Sequence, residues 1–300
     1  MIEMVPTHKK LFGSGWRLIT RHSLMLLSVV ALALVGAYAF RLWLIQGSLI
    51  YVPQRTTVAL ATAASAQGAK RLNFTAAQQQ QIAWLLPPTS TAPAVLWIAC
   101  IGNGGCAARW FEQPDFLLPT LHRTTGAAIL AIDYPSFGEC SGEPNPSSIL
   151  ALSRAAQAAA LSELGWTRAA TRIGIIGMSL GTGIASQHAV AEGLDRLVLI
   201  SPYTSLLDLA LQSQPWPFPY LLSHRYDNRA GLQHLANNPV AKVIIYHGDA
   251  DHTIPVEHAR SLAAAFPQLI DYHELPGVRH DNVLTGIVPQ VVADIQRMMP

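Results

Sequence analysis

A serine fenced by glycines stands at residues 177–181, Gly-Met-Ser-Leu-Gly, directly behind an apolar run. Ile173, Gly174, Ile175 and Ile176 suit a buried strand, and Leu180, Thr182, Ile184 and Ala185 open a helix, so Ser179 falls on the turn between them. A tight strand-to-helix turn needs glycine on both sides, because small neighbours let the backbone approach itself and push one hydroxyl into the open. That is the spacing of a nucleophile elbow, although an ordinary loop can carry the same residues. A serine hydroxyl is a weak nucleophile at neutral pH and must hand its proton to an adjacent base, a task suited to an imidazole that titrates near neutrality.

The elements that must position such a group follow from the apolar rhythm. Strand-like runs recur at 94–100, 127–133, 172–178, 196–201, 241–247 and 270–276, separated by helix-length segments near 106–118, 147–164, 180–192, 256–265 and 282–298. Continuous apolar strands alternating with helices predict an α/β architecture, a mostly parallel doubly wound sheet covered on both faces. Between Ser201 and Ala241 the alternation pauses, and residues 202–241 read as a small cap carrying Trp216, Phe218, Tyr220 and Tyr226 among prolines. In open parallel sheets, ligands bind at the carboxyl ends of the strands. The loop after 241–247 holds Asp249 and Asp251, and the loop after 270–276 holds His280, giving the chain order Ser, Asp, His expected of a nucleophile-elbow hydrolase.

The ordered motifs extend further: GNGG at 102–105, DYPSFGECSGEP at 133–144, GMSLG at 177–181, YDN at 226–228, HGDADHTIP at 247–255 and GVRH at 277–280. With these the chain resembles the α/β-hydrolase superfamily, and within it the Bem46-like and ABHD-type membrane-anchored serine hydrolases, from about residue 48 to the end. The resemblance implies that Ser179 is the nucleophile, His280 the base and Asp251 the acid that orients it, with Asp249 as the rival carboxylate and His252, His258 and His273 as rival imidazoles. It implies an acyl-enzyme mechanism on an ester or thioester without metal or cofactor, the oxyanion taken by the N–H groups of Leu180 and Asn103. Asn103 also reads as a simple turn residue, and Asp133 as a structural carboxylate at a strand end. Two positions depart from the family pattern: Ile101 stands where many relatives have histidine, a side chain that braces the loop, and Ser136 where they have glycine. A peptidase or amidase of the same fold, and a catalytically idle binding module at the membrane, are the alternatives.

Composition limits the remaining classes. The chain has 300 residues, 50% hydrophobic and 13% charged, with a formal charge of +2 and no long basic run, which argues against a nucleic-acid partner. Cys100, Cys106 and Cys140 are too few for a disulfide scaffold or structural zinc site, leaving one Cys106–Cys140 bridge open. From Ser23 to Phe40 no residue is charged, and His8, Lys9, Lys10, Arg17 and Arg21 precede this stretch. Residues 1–22 then read as a cytoplasmic basic segment, 23–46 as a transmembrane signal-anchor and 47–300 as the hydrolase domain on the non-cytoplasmic side. Cleavage near Ala39, behind an Ala-x-Ala triplet, would instead release a secreted protein. A small-molecule or lipid-like acyl substrate fits either arrangement, and the oligomeric state is left open.

Overall fold

The apolar runs pair as their rhythm requires. The computed structural model of the chain describes residues 15–90 and 93–299, with side chains from residue 21; His8, Lys9 and Lys10 of the basic segment lie outside the described residues. The chain divides into two units, residues 1–45 and 46–300. One helix, α1 (Gly15–Ile50), runs through the boundary. Its residues 21–50 are long and apolar enough to cross a membrane, as an anchor or a signal sequence. Within the first unit Leu24, Leu26, Leu27 and Leu32 are exposed, so this stretch is not a buried core helix.

The second unit opens with α2 (Val58–Ala66), whose first turn is capped by the Thr57 hydroxyl accepting from the Leu60 N–H. Strands β1 (Lys70–Ala76) and β2 (Gln79–Leu86) then form an antiparallel pair. Its two-residue turn, Ala77 and Gln78, has φ values of 49° and 62°, the left-handed pair that matches strand twist in a tight hairpin. Six further strands follow: β3 (Val95–Cys100), β4 (Ala128–Ile132), β5 (Arg172–Met178), β6 (Arg196–Ile200), β7 (Lys242–Gly248) and β8 (Ile270–Leu275). The sheet order is β1-β2-β4-β3-β5-β6-β7-β8, with β2 antiparallel to β4 and every later pairing parallel. The chain leaves β3 for β4 on one side and returns to β5 on the other, so its direction of winding reverses between β3 and β5. In open sheets of this kind, ligands bind at the carboxyl ends where that reversal happens.

Helices α3 (Leu117–Thr125), α4 (Pro146–Glu163), α5 (Leu180–Glu192), α6 (Leu206–Ser213), α7 (Asn228–Leu235), α8 (Glu257–Ala265) and α9 (Val288–Met298) complete the unit. Two boundaries correct the sequence reading. The helix expected at 106–118 is a short 3-10 turn, Ala107–Phe111, followed by α3, because Pro114 cannot donate to a helix and disfavours the helical conformation at Gln113. The last helix begins at 288 rather than 282, since Gly286 takes a φ of 79° that breaks the preceding turn. The 202–241 insert is also more ordered than its prolines suggested. It holds α6, a 3-10 turn at Phe218–Leu221, and α7, which buries Leu232 and Leu235.

Helix α7 is locked to α5 through Asn228, which is fully buried. Its amide donates to the Thr182 hydroxyl at 3.0 Å and the Tyr203 carbonyl at 2.8 Å, and its oxygen accepts from the Ser186 hydroxyl at 2.6 Å. On the opposite side of α5, the buried His188 meets the Ser153 hydroxyl and the Gln157 amide of α4, both at 2.9 Å. Burial drives its imidazole down to about 4.

Two outcomes follow for stability. Asn228→Ala removes three buried hydrogen bonds and should cost about 3 kcal/mol in urea denaturation, with the slope unchanged. His188 has a folded-state pKa below its unfolded value, so its stabilising contribution is complete above that unfolded value and is lost as pH falls through the folded one. The loss is on the order of 3 kcal/mol between about pH 6.5 and 4, and His188→Gln should flatten that part of the stability profile.

Candidate active site

Ser179 sits at the carboxyl end of β5, beside the point where the winding reverses, with φ 53° and ψ −121°. This is a region that residues with a Cβ rarely adopt, so the surroundings must enforce it. The Ser179 N–H donates to Ile200 O at the end of β6 at 2.9 Å, and its carbonyl accepts from the Thr182 N–H at 3.0 Å and the Thr182 hydroxyl at 2.7 Å. The flanking glycines are needed for space. A Cβ on Gly177 would lie 2.5 Å from Gly181 O, and one on Gly181 would lie 2.5 Å from Ile101 O.

The loop after β8 brings His280 to this serine, with Nε2 3.0 Å from Ser179 Oγ. Its other nitrogen, Nδ1, lies 2.6 Å from Oδ2 of Asp251, in the loop after β7. A carboxylate can only accept, which assigns the proton to Nδ1 and leaves Nε2 free to accept from the serine hydroxyl. The Asp251 side chain is inaccessible to solvent and the His280 side chain is 19% exposed, so the imidazole alone of this pair faces the crevice. Oδ1 of Asp251 accepts from the N–H groups of Thr253 at 2.9 Å and Ile254 at 2.8 Å. Burial pushes the Asp251 carboxyl up, but hydrogen bonds from His247, His280 and the Ile254 N–H together outweigh it and hold the group well below the usual carboxylate range.

The rivals lie elsewhere. Asp249 accepts from the Gly277 N–H at 2.6 Å, and backbone bonds from Asp249 to Leu275 O and from Ala250 to Val278 O strap the same two loops together. Asp249 therefore holds the segment that carries His280. His252 is exposed; His258 is buried against Thr204, its Nδ1 2.9 Å from the hydroxyl; His273 stacks on Tyr246 at 4.7 Å.

Asn103 lies after β3, where its side chain works as a clamp: Oδ1 accepts from the Val52 N–H and Nδ2 donates to Ile50 O, each at 2.7 Å. Only its backbone N–H is left for an oxyanion. The loop itself adjoins the serine, since a Cβ on Gly102 would stand 3.6 Å from Ser179 Cβ. Leu180 begins α5, so its N–H has no acceptor within the helix. The loop is braced by the buried Tyr134, whose hydroxyl donates to Ile101 O at 2.6 Å. Ser136 takes a φ of 69°, a left-handed conformation that glycine adopts most readily. Asp133 is fully buried and accepts from the Ala107 N–H at 2.7 Å, bracing the 106–107 turn, and burial raises it to about 7.

Cys100, Cys106 and Cys140 are free and buried. Burial pushes the Cys140 thiol up to about 12 and raises Cys106 as well, which disfavours the thiolates. Among the described residues no group of three or more His, Cys, Asp and Glu side chains is arranged to hold a metal ion. One neighbour of the site escaped the sequence reading. His247, fully buried at the end of β7, directs Nε2 at Ile254 O (2.8 Å) and lies 3.4 Å from the Asp251 oxygen that also meets His280. Its only signal in the sequence was its place at a strand end, four residues before Asp251.

The alpha/beta hydrolase family profile matches residues 95–229, which hold β3 to the start of α7, Ser179 included. The chain is 31% identical over 263 residues to an uncharacterized protein of Mycobacterium tuberculosis, covering 87% of this chain and 89% of that one. It is 26% identical over 162 residues to the human protein ABHD12B, covering 46% of this chain and 41% of that one. Among solved structures, an esterase from Pyrococcus furiosus superposes with a TM-score of 0.63 at 16% identity, covering 84% of this chain and 98% of that one. With its reversed winding, its elbow serine and this extent of similarity, the chain belongs to the alpha/beta hydrolase family.

Proposed function

We propose that the chain is a membrane-anchored serine hydrolase that cleaves acyl esters or thioesters through an acyl-enzyme on Ser179. The observation that carries this reading is the relay from Asp251 Oδ2 to His280 Nδ1 at 2.6 Å and from His280 Nε2 to Ser179 Oγ at 3.0 Å, on a serine held at positive φ. Ser179 Oγ attacks the acyl carbon while its proton passes to His280 Nε2. Asp251 keeps the Nδ1 proton in place and supports the imidazolium, without taking the proton itself. The negative charge on the former carbonyl oxygen meets the N–H groups of Leu180 and Asn103, a pair in which loss of one donor costs about 3 kcal/mol. Collapse expels the alcohol or thiol, which takes the proton from His280. Water then repeats the sequence against the acyl-enzyme and frees Ser179. His247 steadies the carboxylate from its buried side, sharing its Nε2 proton between Ile254 O and Asp251.

In this reading residues 23–46 span the bilayer, residues 1–22 stay in the cytoplasm and residues 47–300 work on the far side, as the basic residues before the span direct. Bilayer tethering favours substrates that carry an acyl chain.

Ser179→Ala should leave the melting temperature near that of the native chain while lowering turnover of p-nitrophenyl esters by roughly three orders of magnitude or more, and should abolish fluorophosphonate labelling. Undiminished labelling would refute the assignment. Asp251 has a folded-state pKa below its unfolded value, so its contribution to stability is present above about pH 4 and is lost as pH falls through the folded value. Asp251→Asn should accordingly lower the melting temperature more at neutral pH than in acid, as thermal denaturation at several pH values would show.

A further inference from the structure

The last residue of the proposed span is Gln46, and in the 46–300 unit its side chain is buried beneath the insert. Gln46 Oε1 accepts from the Ser223 N–H at 2.7 Å, the Ser223 hydroxyl at 3.0 Å and the His224 N–H at 3.4 Å. The Tyr51 ring lies 5.6 Å from the His224 ring, and the Tyr51 hydroxyl lies 3.4 Å from the Tyr226 hydroxyl. Residues 223–226 are thus fastened to the segment 46–51 that follows the span.

The turn immediately before this fastening is apolar and uncovered: Trp216 is 79% exposed, Tyr220 54% and Leu221 40%, with Leu211 of α6 at 42%. Ordinary soluble surfaces seldom gather such side chains, and tryptophan and tyrosine concentrate where a bilayer meets water. From Leu209 to Tyr226 the chain contains no Asp or Glu, and Arg225 is its one Lys or Arg. Arg225 is exposed while donating to Leu222 O at 2.9 Å and Tyr220 O at 3.3 Å, so it shapes the turn and still presents its charge. An apolar, acid-free turn carrying one cation complements an anionic lipid surface.

We propose that the turn 216–221, with Leu211, inserts into the headgroup region of the bilayer in which the chain is anchored. This rests on the anchored reading, because the fastening at Gln46 ties the turn to the point where the span ends. The insert is then a membrane contact as well as a cover, and it holds the hydrolase unit against the surface that would supply acyl lipids.

The test uses the full chain in vesicles of phosphatidylethanolamine and phosphatidylglycerol. Trp216→Cys and, independently, Tyr220→Cys are labelled with an environment-sensitive fluorophore. Ala169→Cys, exposed in the turn that precedes β5, is the control, and the native thiols are buried. The expected result is blue-shifted emission at 216 and 220, quenched by lipids brominated near the glycerol, with a water-like and unquenched label at 169. Water-like emission at 216 and 220 in a chain that resists carbonate extraction would overturn the insertion while leaving the anchor standing. Extraction by carbonate would overturn the anchor and the insertion together. Shielding that bromolipids do not quench, and that vanishes when the protein is diluted in lipid, would assign the turn to contact with a second copy and overturn the proposal.

Discussion

A hydroxyl held out on a left-handed backbone is the constraint around which the hydrolase unit is built. Ser179 at φ 53° carries strain on the order of 1–3 kcal/mol, and its neighbours hold it there. The hold begins with Ile200 O and Thr182, continues through the Thr182 hydroxyl to Asn228, and reaches α7. The glycines at 177 and 181 let the turn close against β3. Helix α7, two helices later in the chain, is thereby part of what keeps the Ser179 turn rigid.

The carboxylates around the crevice show how far surroundings decide chemistry. Asp133 and Asp251 are both buried, yet they respond in opposite directions. Asp133 has one backbone donor on one oxygen and none on the other, so burial dominates and raises the carboxyl to about 7. Asp251 is less deeply desolvated and meets two backbone N–H groups and two imidazoles, which together outweigh its burial and keep it ionised. A permanently charged acceptor is what a histidine needs in order to hold its proton on Nδ1 and offer Nε2 to a serine. Asp249, two residues away, does neither and fastens the loop instead.

Much of this was legible before any coordinates. The strand rhythm placed the six later strands, and the positions of Ser179, Asp251 and His280 after three of them put all three on one rim. Local patterns carried that information, because strand periodicity and turn glycines act over a few residues. Contacts between distant segments escaped it. The proline-rich insert hid α7, whose helix depends on Asn228 meeting partners at Thr182, Ser186 and Tyr203. The Asn103 side chain clamps Ile50 and Val52, some 50 residues earlier in the sequence, and His247 takes on meaning only once Ile254 and Asp251 fold back over it. Pro114 and Gly286 were visible breakers whose weight the apolar rhythm concealed.

If the proposed chemistry operates, residue 179 and no other nucleophile forms the covalent intermediate. The most direct measurement is peptide mapping by mass spectrometry after the folded, full-length chain reacts with an organophosphate. A single phosphoryl adduct on the peptide containing Ser179 is the expected result. An adduct on any other residue, or none from a chain shown to be folded, would contradict it.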